Sequence, residues 1–326
     1  MVSLAVVAAL LGGCSESAPP PIPAPLSAPP SAPPTGPAAP YGFSPLTGEP
    51  ATSAQNASRG AIAVAVLLKK GAPAPSGLDA ADYVFEEVLG SGDHRLLAVY
   101  QSRDATKIGP VAGPGMVDLR LLPVLRPITA NDGQPERFAK RLHANTSLVD
   151  RSYPVATAAY QKSGTWLYTS TAALYSHAPA GTTPPNIFVF VAPGLHMTSV
   201  VPRATATVSI ALPGESAQVW TYDAAKGLFS RSSPAVSVAN VIVLNVPYES
   251  VATSNKRGAP VVASADVVGT GNCVVASAGF SAPCTWSRTK AQLIPNIVDS
   301  SGYPIRLAPG PTWIVLAPTA SKTTTE

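Results

Sequence analysis

Six ionisable side chains lie close together near the ends of two predicted strands, and they are the part of this sequence best suited to chemistry. They are Glu86, Glu87, Asp93, His94, Arg95 and Lys107. Binding sites tend to lie in loops at strand ends, and a Glu86–Arg95 charge pair would hold a polar or anionic ligand there. The alternative is a set of exposed strand-end charges, or one structural ion pair that contributes little stability.

A second candidate ligand-binding residue is Asp132, in the predicted turn 131–134 that precedes a predicted helix. Its carboxylate could help to bind a ligand at the N-terminal end of that helix, where the helix dipole is positive. The simpler interpretation is that the run forms only a turn and a helix cap.

No familiar catalytic motif accompanies these residues. The sequence lacks a nucleophile elbow, a zincin helix and a phosphate-binding loop. Glu86 and Glu87 are adjacent, so in a strand they point to opposite faces, which is a poor geometry for a glycosidase pair. No two of the four histidines have His-x-x-x-His spacing, so we predict no metal site. We predict no cofactor either.

The candidate residues belong to a first region, 42–202, in which strand and helix patterns mix. A continuous apolar run over 61–68 predicts a strand that is buried on both faces. Further strands are predicted at 83–85, 95–100 and 187–191. Helices are predicted at 135–143, with Phe138 and Leu142 on one face, and at 169–175, with Ser170 or Thr171 as N-cap.

The second region, 203–318, has almost only strand patterns, and turn residues recur about every ten positions, as in a small sandwich or barrel. Strands are predicted at 217–222, 228–231, 240–246, 265–269 and 312–316. The polar residues 319–326 are predicted to be a disordered tail. The fold class is therefore α+β: an N-terminal mixed α/β domain, then a β-rich, sandwich- or barrel-like C-terminal domain.

The first residues of the chain have the pattern of an exported lipoprotein's signal peptide. Residues 11–14 (Leu-Gly-Gly-Cys) follow a short apolar run, which predicts a signal peptide over 1–14 and lipid attachment at Cys14. Residues 15–41, mostly Pro, Ala and Ser, predict an extended linker. We therefore expect an extracytoplasmic protein that is anchored to the membrane by lipid, although the leader lacks the usual basic residues.

Composition restricts the classes of partner. Charged residues make up 12% of the chain and hydrophobic residues 46%, enough for folded cores. The net charge of +4 is mild and no run of Lys or Arg forms a stripe, so nucleic-acid binding is not expected. This charge would favour loose contact with an anionic membrane or wall polymer.

The two remaining cysteines, Cys273 and Cys284, suggest a disulfide. If Ala278-Gly279 is a two-residue turn, counting outward places these cysteines directly opposite each other in a hairpin. Disulfides form readily in exported proteins. The alternative is a pair of buried free thiols.

Several segments resemble the YerB-like lipoprotein family, and their order and spacing cover nearly all of the chain after the linker. They are 45–48 (PLTG), 76–86 (SGLDAADYVFE), 95–102 (RLLAVYQS), 107–111 (KIGPV), 222–223 (YD), 240–243 (NVIV), 268–271 (VGTG), 285–286 (TW) and 307–313 (LAPGPTW). The resemblance implies a two-domain exported lipoprotein with no assigned activity.

The chain also departs from that family. Residues 112–115 (Ala-Gly-Pro-Gly) replace an Arg-Ser-Ala-Arg-like stretch, and 90–94 replace an acidic Gly-Gly turn. Thr165-Trp166 stands where a His-Asn pair is expected. If the family has a site that uses those groups, this chain has altered it.

The leading hypothesis is a membrane-anchored envelope protein that acts as a ligand-binding or scaffold module. An envelope enzyme acting on wall glycan or an anionic polymer, centred on Glu86, Arg95 and Lys107, is the alternative. A third possibility, an adaptor for a protein partner, would require a sizeable exposed apolar patch.

Overall fold

The computed structural model describes residues 39–178 and 181–326. Within these residues the α-helices are α1 Ala54–Ser58, α2 Asp118–Leu121, α3 Glu136–His143 and α4 Thr171–Ser176, and 3₁₀ turns lie at Leu78–Ala80 and Thr157–Ala159. The strands are β1 Ile62–Leu68, β2 Tyr83–Gly90, β3 Asp93–Tyr100, β4 Ile128–Ala130, β5 Val149–Asp150, β6 Gln161–Ser163, β7 Trp166–Tyr168, β8 Val189–Phe190, β9 Arg203–Ala204, β10 Thr207–Ala211, β11 Gln218–Asp223, β12 Leu228–Ser232, β13 Ala235–Val238, β14 Asn240–Val246, β15 Tyr248–Ala252, β16 Val261–Ala265, β17 Gly269–Ser277, β18 Phe280–Arg288, β19 Asn296–Val298, β20 Arg306–Leu307, β21 Thr312–Pro318 and β22 Lys322–Thr325.

One mixed sheet of eleven strands runs through both predicted regions. Its order is β19-β18-β17-β14-β21-β2-β3-β1-β4-β5, with β9 paired to β18. Strand β21 lies in the middle and is parallel to both of its neighbours, β14 and β2. The two regions are therefore joined by backbone hydrogen bonds across a common sheet.

The apolar residues of the large sheet alternate between two cores. Val84 and Val88 of β2 face one core together with Trp313 of β21, whereas Tyr83 and Phe85 face the other. This alternation is the period-2 pattern of a strand. It places Glu86 and Glu87, both fully buried, on opposite faces of the sheet.

A five-stranded sheet, in the order β13-β12-β11-β10-β22, contributes to the first of these cores. Its buried residues there include Val208, Ile210, Trp220 and Phe229. The second core is shared with α2, α3 and the loops around them. The large sheet is therefore covered on both faces.

Most of the predicted elements are confirmed, as is the α+β class with its strand-rich C-terminal region. Strand β1 is buried and lies between β3 and β4. Phe138 and Leu142 of α3 are buried on one side of that helix. The Ser170 hydroxyl caps α4 by accepting a hydrogen bond from the Ala173 N–H at 3.1 Å.

Three expectations need correction. Residues 319–326 were expected to be disordered, but β22 within them pairs with β10, because the sheet edge offers free backbone partners. Of the strand expected at 265–269, residues 266–268 are the connection between β16 and β17, and 265 and 269 are the end residues of those two strands. The strand expected at 187–191 shrinks to β8, which pairs only with β20. The domain boundaries stay predictions.

The disulfide prediction is confirmed. Cys273 and Cys284 are directly opposed in the β17–β18 hairpin and are bonded, with Cα atoms 4.8 Å apart. Both turn residues, Ala278 and Gly279, have positive φ values of 48° and 81°, as a tight two-residue hairpin turn requires.

We expect the Cys273→Ala/Cys284→Ala variant to have a lower free energy of unfolding, by roughly 3 kcal/mol or less, because the loop that the bond closes is short. Thermal unfolding should show a melting temperature several degrees lower. Reductant should shift the wild type toward this value and leave the variant unchanged. Identical melting temperatures for wild type and variant would contradict a stabilising role.

Candidate functional site

Glu86 is the centre of a buried polar network between the two sheets. Its carboxylate accepts hydrogen bonds from Arg231 Nη1 at 3.0 Å, Gln218 Nε2 at 2.9 Å and Trp313 Nε1 at 2.6 Å. His94 Nδ1 lies 3.0 Å from Glu86 Oε1, and His94 Nε2 lies 2.8 Å from Glu215 Oε2. We call Glu86, His94, Glu215, Gln218 and Arg231 the inter-sheet network.

The charges of the inter-sheet network compensate one another. Burial alone would raise the pKa of Glu86, but Arg231, His94 and Trp313 outweigh it and lower the pKa to about 2. Burial alone would lower the pKa of His94, but the two carboxylates in contact with it raise the pKa above 6.5. Most of the polar atoms in this network contact one another, although His94 Nδ1 and Arg231 Nε lack a hydrogen bond of good geometry among the described residues. The mutual contacts favour a structural role over ligand binding.

Arg231 owes its position to aromatic side chains as well as to Glu86. Its guanidinium carbon lies 4.5 Å from the ring centroid of Trp313 and 5.0 Å from that of Trp220. Such cation–π contacts are stronger when they are desolvated. Trp220 and Trp313 are fully buried, as expected for core tryptophans in a β-rich domain.

A second buried network occupies the opposite face of the large sheet. Arg95 donates hydrogen bonds to the carboxylate of Asp118 through Nη2 and to the carbonyl oxygen of Gly113 through Nε, the latter at 2.8 Å. Arg95 Nη1 lies 3.4 Å from Glu87 Oε2, and Glu87 Oε1 accepts from the Ala265 N–H at 3.1 Å. We call Glu87, Arg95 and Asp118 the Arg95 network.

The two carboxylates of the Arg95 network share a single cation. Burial is the largest influence on Glu87, and the nearby Asp118 adds to it, so that the pKa of Glu87 rises to about 7 despite Arg95 and the Ala265 N–H. Strongly shifted pKa values of this kind are common at functional sites, although structural ion pairs also produce them.

A cavity of about 170 Å³ lies beside this network, and we call it the small cavity. Glu87 and Arg95 are the ionisable residues that line it. Its other lining residues are Leu67, Leu89, Ala112, Gly113, Pro114, Gly115, Met116, Gln134, Pro135, Phe138, Val262 and Ala263. A mostly apolar cavity with a few convergent polar groups is typical of a small-molecule site.

The stretch in which the chain departs from the YerB-like pattern forms one wall of the small cavity. A Cβ atom on Gly115 would lie 2.8 Å from Arg95 Nη1 and 3.1 Å from Glu87 Oε2. A Cβ atom on Gly113 would lie 1.7 Å from the carbonyl oxygen of Gln134. Larger side chains at these positions would therefore require the wall to move.

A larger, open groove of about 580 Å³ adjoins the small cavity, and we call it the basic groove. Gln134 and Pro135 line both depressions. The groove lies between α3 and the turn 253–256 that follows β15. Its lining residues are Gln134, Pro135, Glu136, Arg137, Lys140, Arg141, Thr253, Ser254, Asn255 and Lys256.

The structure brings together only part of the predicted site. The predicted Glu86–Arg95 ion pair is wrong. Glu86 pairs with Arg231 on one face of the large sheet, and Arg95 pairs with Glu87 and Asp118 on the other. Lys107 is elsewhere, with its Nζ 4.1 Å from the ring centroid of Tyr168.

Asp132 lies near the Arg95 network but is tied into its own turn. Its Oδ1 accepts a hydrogen bond from the Gln134 N–H at 2.7 Å, and α3 begins after Pro135 without a side-chain cap. Burial raises the pKa of Asp132. The turn is therefore confirmed, whereas ligand binding by Asp132 stays a prediction.

The chain matches a known protein family over most of its length. Residues 46–183 match the N-terminal domain, and residues 208–314 the C-terminal domain, of a family described as protein of unknown function (DUF3048). The chain belongs to the DUF3048 family. No curated protein matches it.

The DUF3048 fold also resembles a solved structure. The crystal structure of the YerB protein from Bacillus subtilis has a TM-score of 0.68 and 18% identity, covering 86% of this chain and 99% of that one. This likeness shows the fold, and it confirms the predicted resemblance to YerB-like proteins.

Two further observations concern only the described part of this DUF3048 chain, residues 39–178 and 181–326. No helix in it has the length and apolar character needed to cross a membrane. It also holds no group of three or more His, Cys, Asp or Glu side chains arranged to bind a metal ion. The predicted lipidation residue, Cys14, lies outside the described residues.

Proposed function

We propose that this protein is a lipid-anchored envelope module that binds an anionic polymer in the basic groove. The single observation that carries this proposal is the charge of the groove. Arg137, Lys140 and Arg141 on α3 and Lys256 on the facing turn line it, against one acidic residue, Glu136. Clustered positive charge in a concave surface attracts and concentrates anions.

The basic side chains divide into fixed and available groups. Arg137 Nη1 donates a hydrogen bond to the carbonyl oxygen of Ala252, which ties α3 to β15. Lys140 lies 2.6 Å from Glu136, but both side chains are more than two-thirds exposed, so this pair is weak and can be exchanged for a ligand anion. Arg141 and Lys256 are exposed as well.

The size and openness of the groove favour a polymer with repeated negative charges. About 580 Å³ can hold several charged groups at once. Affinity for such a polymer should fall steeply as salt rises, because each neutralised charge releases a counterion. Thr253, Ser254 and Asn255 add neutral hydrogen-bonding groups that suit hydroxyls.

We expect short-chain inorganic polyphosphate, used as a probe, to bind the wild type in a salt-dependent manner by isothermal titration calorimetry. Lys140→Glu/Lys256→Glu should weaken binding by about tenfold or more, because both charges face the groove. Lys290→Glu/Lys322→Glu, which makes the same change in net charge at exposed sites outside the groove, should weaken it by about twofold or less. Equal losses of polyphosphate affinity in the two variants would show that the basic groove is not the binding site.

Membrane anchoring is the second part of the proposal. It is supported by the Leu-Gly-Gly-Cys sequence at 11–14 and the Pro-rich spacer that follows. Labelled palmitate should be incorporated into the full chain expressed in a bacterial host, and Cys14→Ala should abolish incorporation. Incorporation that survives this substitution would reject anchoring at Cys14.

An enzyme acting on wall glycan or an anionic polymer is the second candidate function. The observation that favours it is Glu87, a buried carboxyl with a pKa of about 7 that lines a cavity beside Arg95. Incubation with purified wall polymer should then release soluble fragments, and Glu87→Gln should stop the release. Absence of release by the wild type would reject this candidate.

A further inference from the structure

The charges around the small cavity do not balance. Glu87 and Asp118 are both carboxylates, and Arg95 is the cation that contacts them. Arg95 donates its shorter hydrogen bonds to Asp118 and to the Gly113 carbonyl oxygen, whereas its Nη1 lies 3.4 Å from Glu87 Oε2. Asp118 Oδ1 is buried without a hydrogen-bond partner among the described residues. The region around Glu87 and Asp118 can therefore accommodate one further positive charge.

The walls of the small cavity are suited to methylene groups. Leu89, Met116, Phe138 and Val262 line it, together with Leu67. A water molecule takes about 30 Å³ in the liquid, so a volume of about 170 Å³ holds roughly five or six non-hydrogen atoms. An alkyl chain that ends in an ammonium group fits both this size and this lining.

We propose that the small cavity binds a primary ammonium group, carried on a short alkyl stem by the same anionic ligand that occupies the basic groove. The ammonium would contact the Glu87 carboxylate, and the stem would lie against Met116 and Phe138. Gln134 and Pro135 line both depressions, so one ligand can lie across them. The inference rests on the proposed function and narrows the ligand to amine-bearing polyanions.

An anion in the small cavity is the opposing possibility, and electrostatics disfavours it. The guanidinium of Arg95 is already held by Asp118 and Gly113, and an incoming anion would meet Glu87. The charged and titratable groups that interact with Glu87 are Arg95 on β3, Asp118 on α2 and Tyr248 on β15, and Asp132 after β4 interacts with Arg95. Acidic groups outnumber basic ones in this set.

The pH dependence of binding separates the two possibilities. An ammonium replaces the proton on Glu87, whose pKa is about 7, so its binding strengthens as pH rises from 6 to 8. An alkylammonium stays charged over this range because its own pKa is near 10. An anion would instead bind more tightly as pH falls, because Glu87 becomes protonated and loses its negative charge.

The test uses four probes with the full chain. Pentylamine probes the small cavity and polyphosphate the basic groove, and aminohexyl phosphate is compared with hexyl phosphate to probe both together. At pH 8 we expect aminohexyl phosphate to bind about tenfold more tightly than hexyl phosphate, as a charge-assisted contact allows. The ratio should approach one at pH 5.5. Pentylamine should bind the wild type at pH 8.

Two variants control for folding and identify the site. Glu87→Gln keeps the acceptor for the Ala265 N–H and removes the charge, so it should lose pentylamine binding and the tenfold preference while still binding polyphosphate. Ala263→Phe, at a half-buried lining position, should do the same by filling the cavity. Lys140→Glu/Lys256→Glu should keep pentylamine binding.

The outcomes distinguish the two proposals. No pentylamine binding at pH 8, or equal affinity for the two phosphates, overturns the ammonium site and leaves the groove standing if polyphosphate binds. Absence of polyphosphate binding by the wild type, together with pentylamine binding at pH 8, overturns the proposed function alone. Hexyl phosphate binding that tightens as pH falls in the wild type, and that is tight at every pH in Glu87→Gln, would assign the small cavity to an anion.

Discussion

Replacing Arg231 by methionine should lower the free energy of unfolding by about 3 to 5 kcal/mol, because it removes the guanidinium paired with the fully buried Glu86 carboxylate and leaves His94 as the remaining titratable neighbour. Methionine keeps most of the side-chain volume, so the loss reports charge rather than an empty cavity. Denaturant-induced unfolding followed by tryptophan fluorescence would measure it, since Trp220 and Trp313 flank Arg231. Arg203→Met, at an exposed arginine, should change stability by about 0.5 kcal/mol or less.

The second variant that tests this network is Arg231→Met combined with Glu86→Gln. Removing both charges leaves no uncompensated ion, so the double variant should recover about 2 kcal/mol or more relative to Arg231→Met. Simple addition of the two single losses would show that Glu86 and Arg231 do not act as a pair.

Stability should be greatest near pH 5 and should fall by several kcal/mol toward pH 8. Glu87 has its pKa raised from 4.5 to about 7, so the folded state binds this proton more tightly than the unfolded state. Its contribution is complete below pH 4.5 and is lost as pH rises through 7. At about 1.4 kcal/mol per tenfold change in proton affinity, this loss is about 3 kcal/mol.

Two other groups act in the same direction. Burial raises the pKa of Asp82 from 3.8 to about 6, and the carboxylates beside His94 raise its pKa above 6.5. The contribution of each group to the free energy of unfolding therefore declines as pH rises. Glu86 has the opposite sign. Its pKa is lowered from 4.5 to about 2, so its contribution is present above pH 4.5 and is lost as pH falls toward 2.

Thermal unfolding between pH 3 and 9 would test this profile. Glu87→Gln should flatten the decline between pH 5 and 8 by about 3 kcal/mol, whereas Asp223→Asn should leave the decline in this pH range unchanged. A wild-type maximum at pH 8 would contradict the assignment of raised pKa values to these buried acids.

Local elements were predictable because they depend on local patterns. The apolar run of β1, the Phe138–Leu142 spacing of α3 and the symmetric spacing of the two cysteines each carry their own signal. What the sequence pattern could not supply was which distant residues meet. Nothing near Glu86 indicates that Arg231, on another sheet, is its partner.

A single-residue irregularity explains the incorrect Glu86–Arg95 pair. Counting back from the β2–β3 turn, where Gly90 opposes Asp93, places Val88 opposite Arg95 and therefore Glu86 on the same face as Arg95. The actual register shifts between Val88 and Gly90, so that Glu87 opposes Arg95. A bulge of one residue exchanges the two faces of a strand, and sequence patterns rarely reveal it.

The basic groove was missed for a different reason. Arg137, Lys140 and Arg141 have the spacing of one helix face, which could have been noticed, but Lys256 comes from a turn far along the chain. The small cavity depends on the backbone path at Gly113 and Gly115, whose position against Arg95 only the folded structure gives.

The central position of β21 has a consequence for the order in which the chain folds during synthesis. Thr312 pairs with Tyr83 on one side and with Asn240 on the other, so the large sheet lacks its middle strand until residue 318 has been made. Such long-range parallel pairing slows folding. In a growing chain, the β2 half and the β14 half of the sheet therefore stay separate until β21 is available to join them.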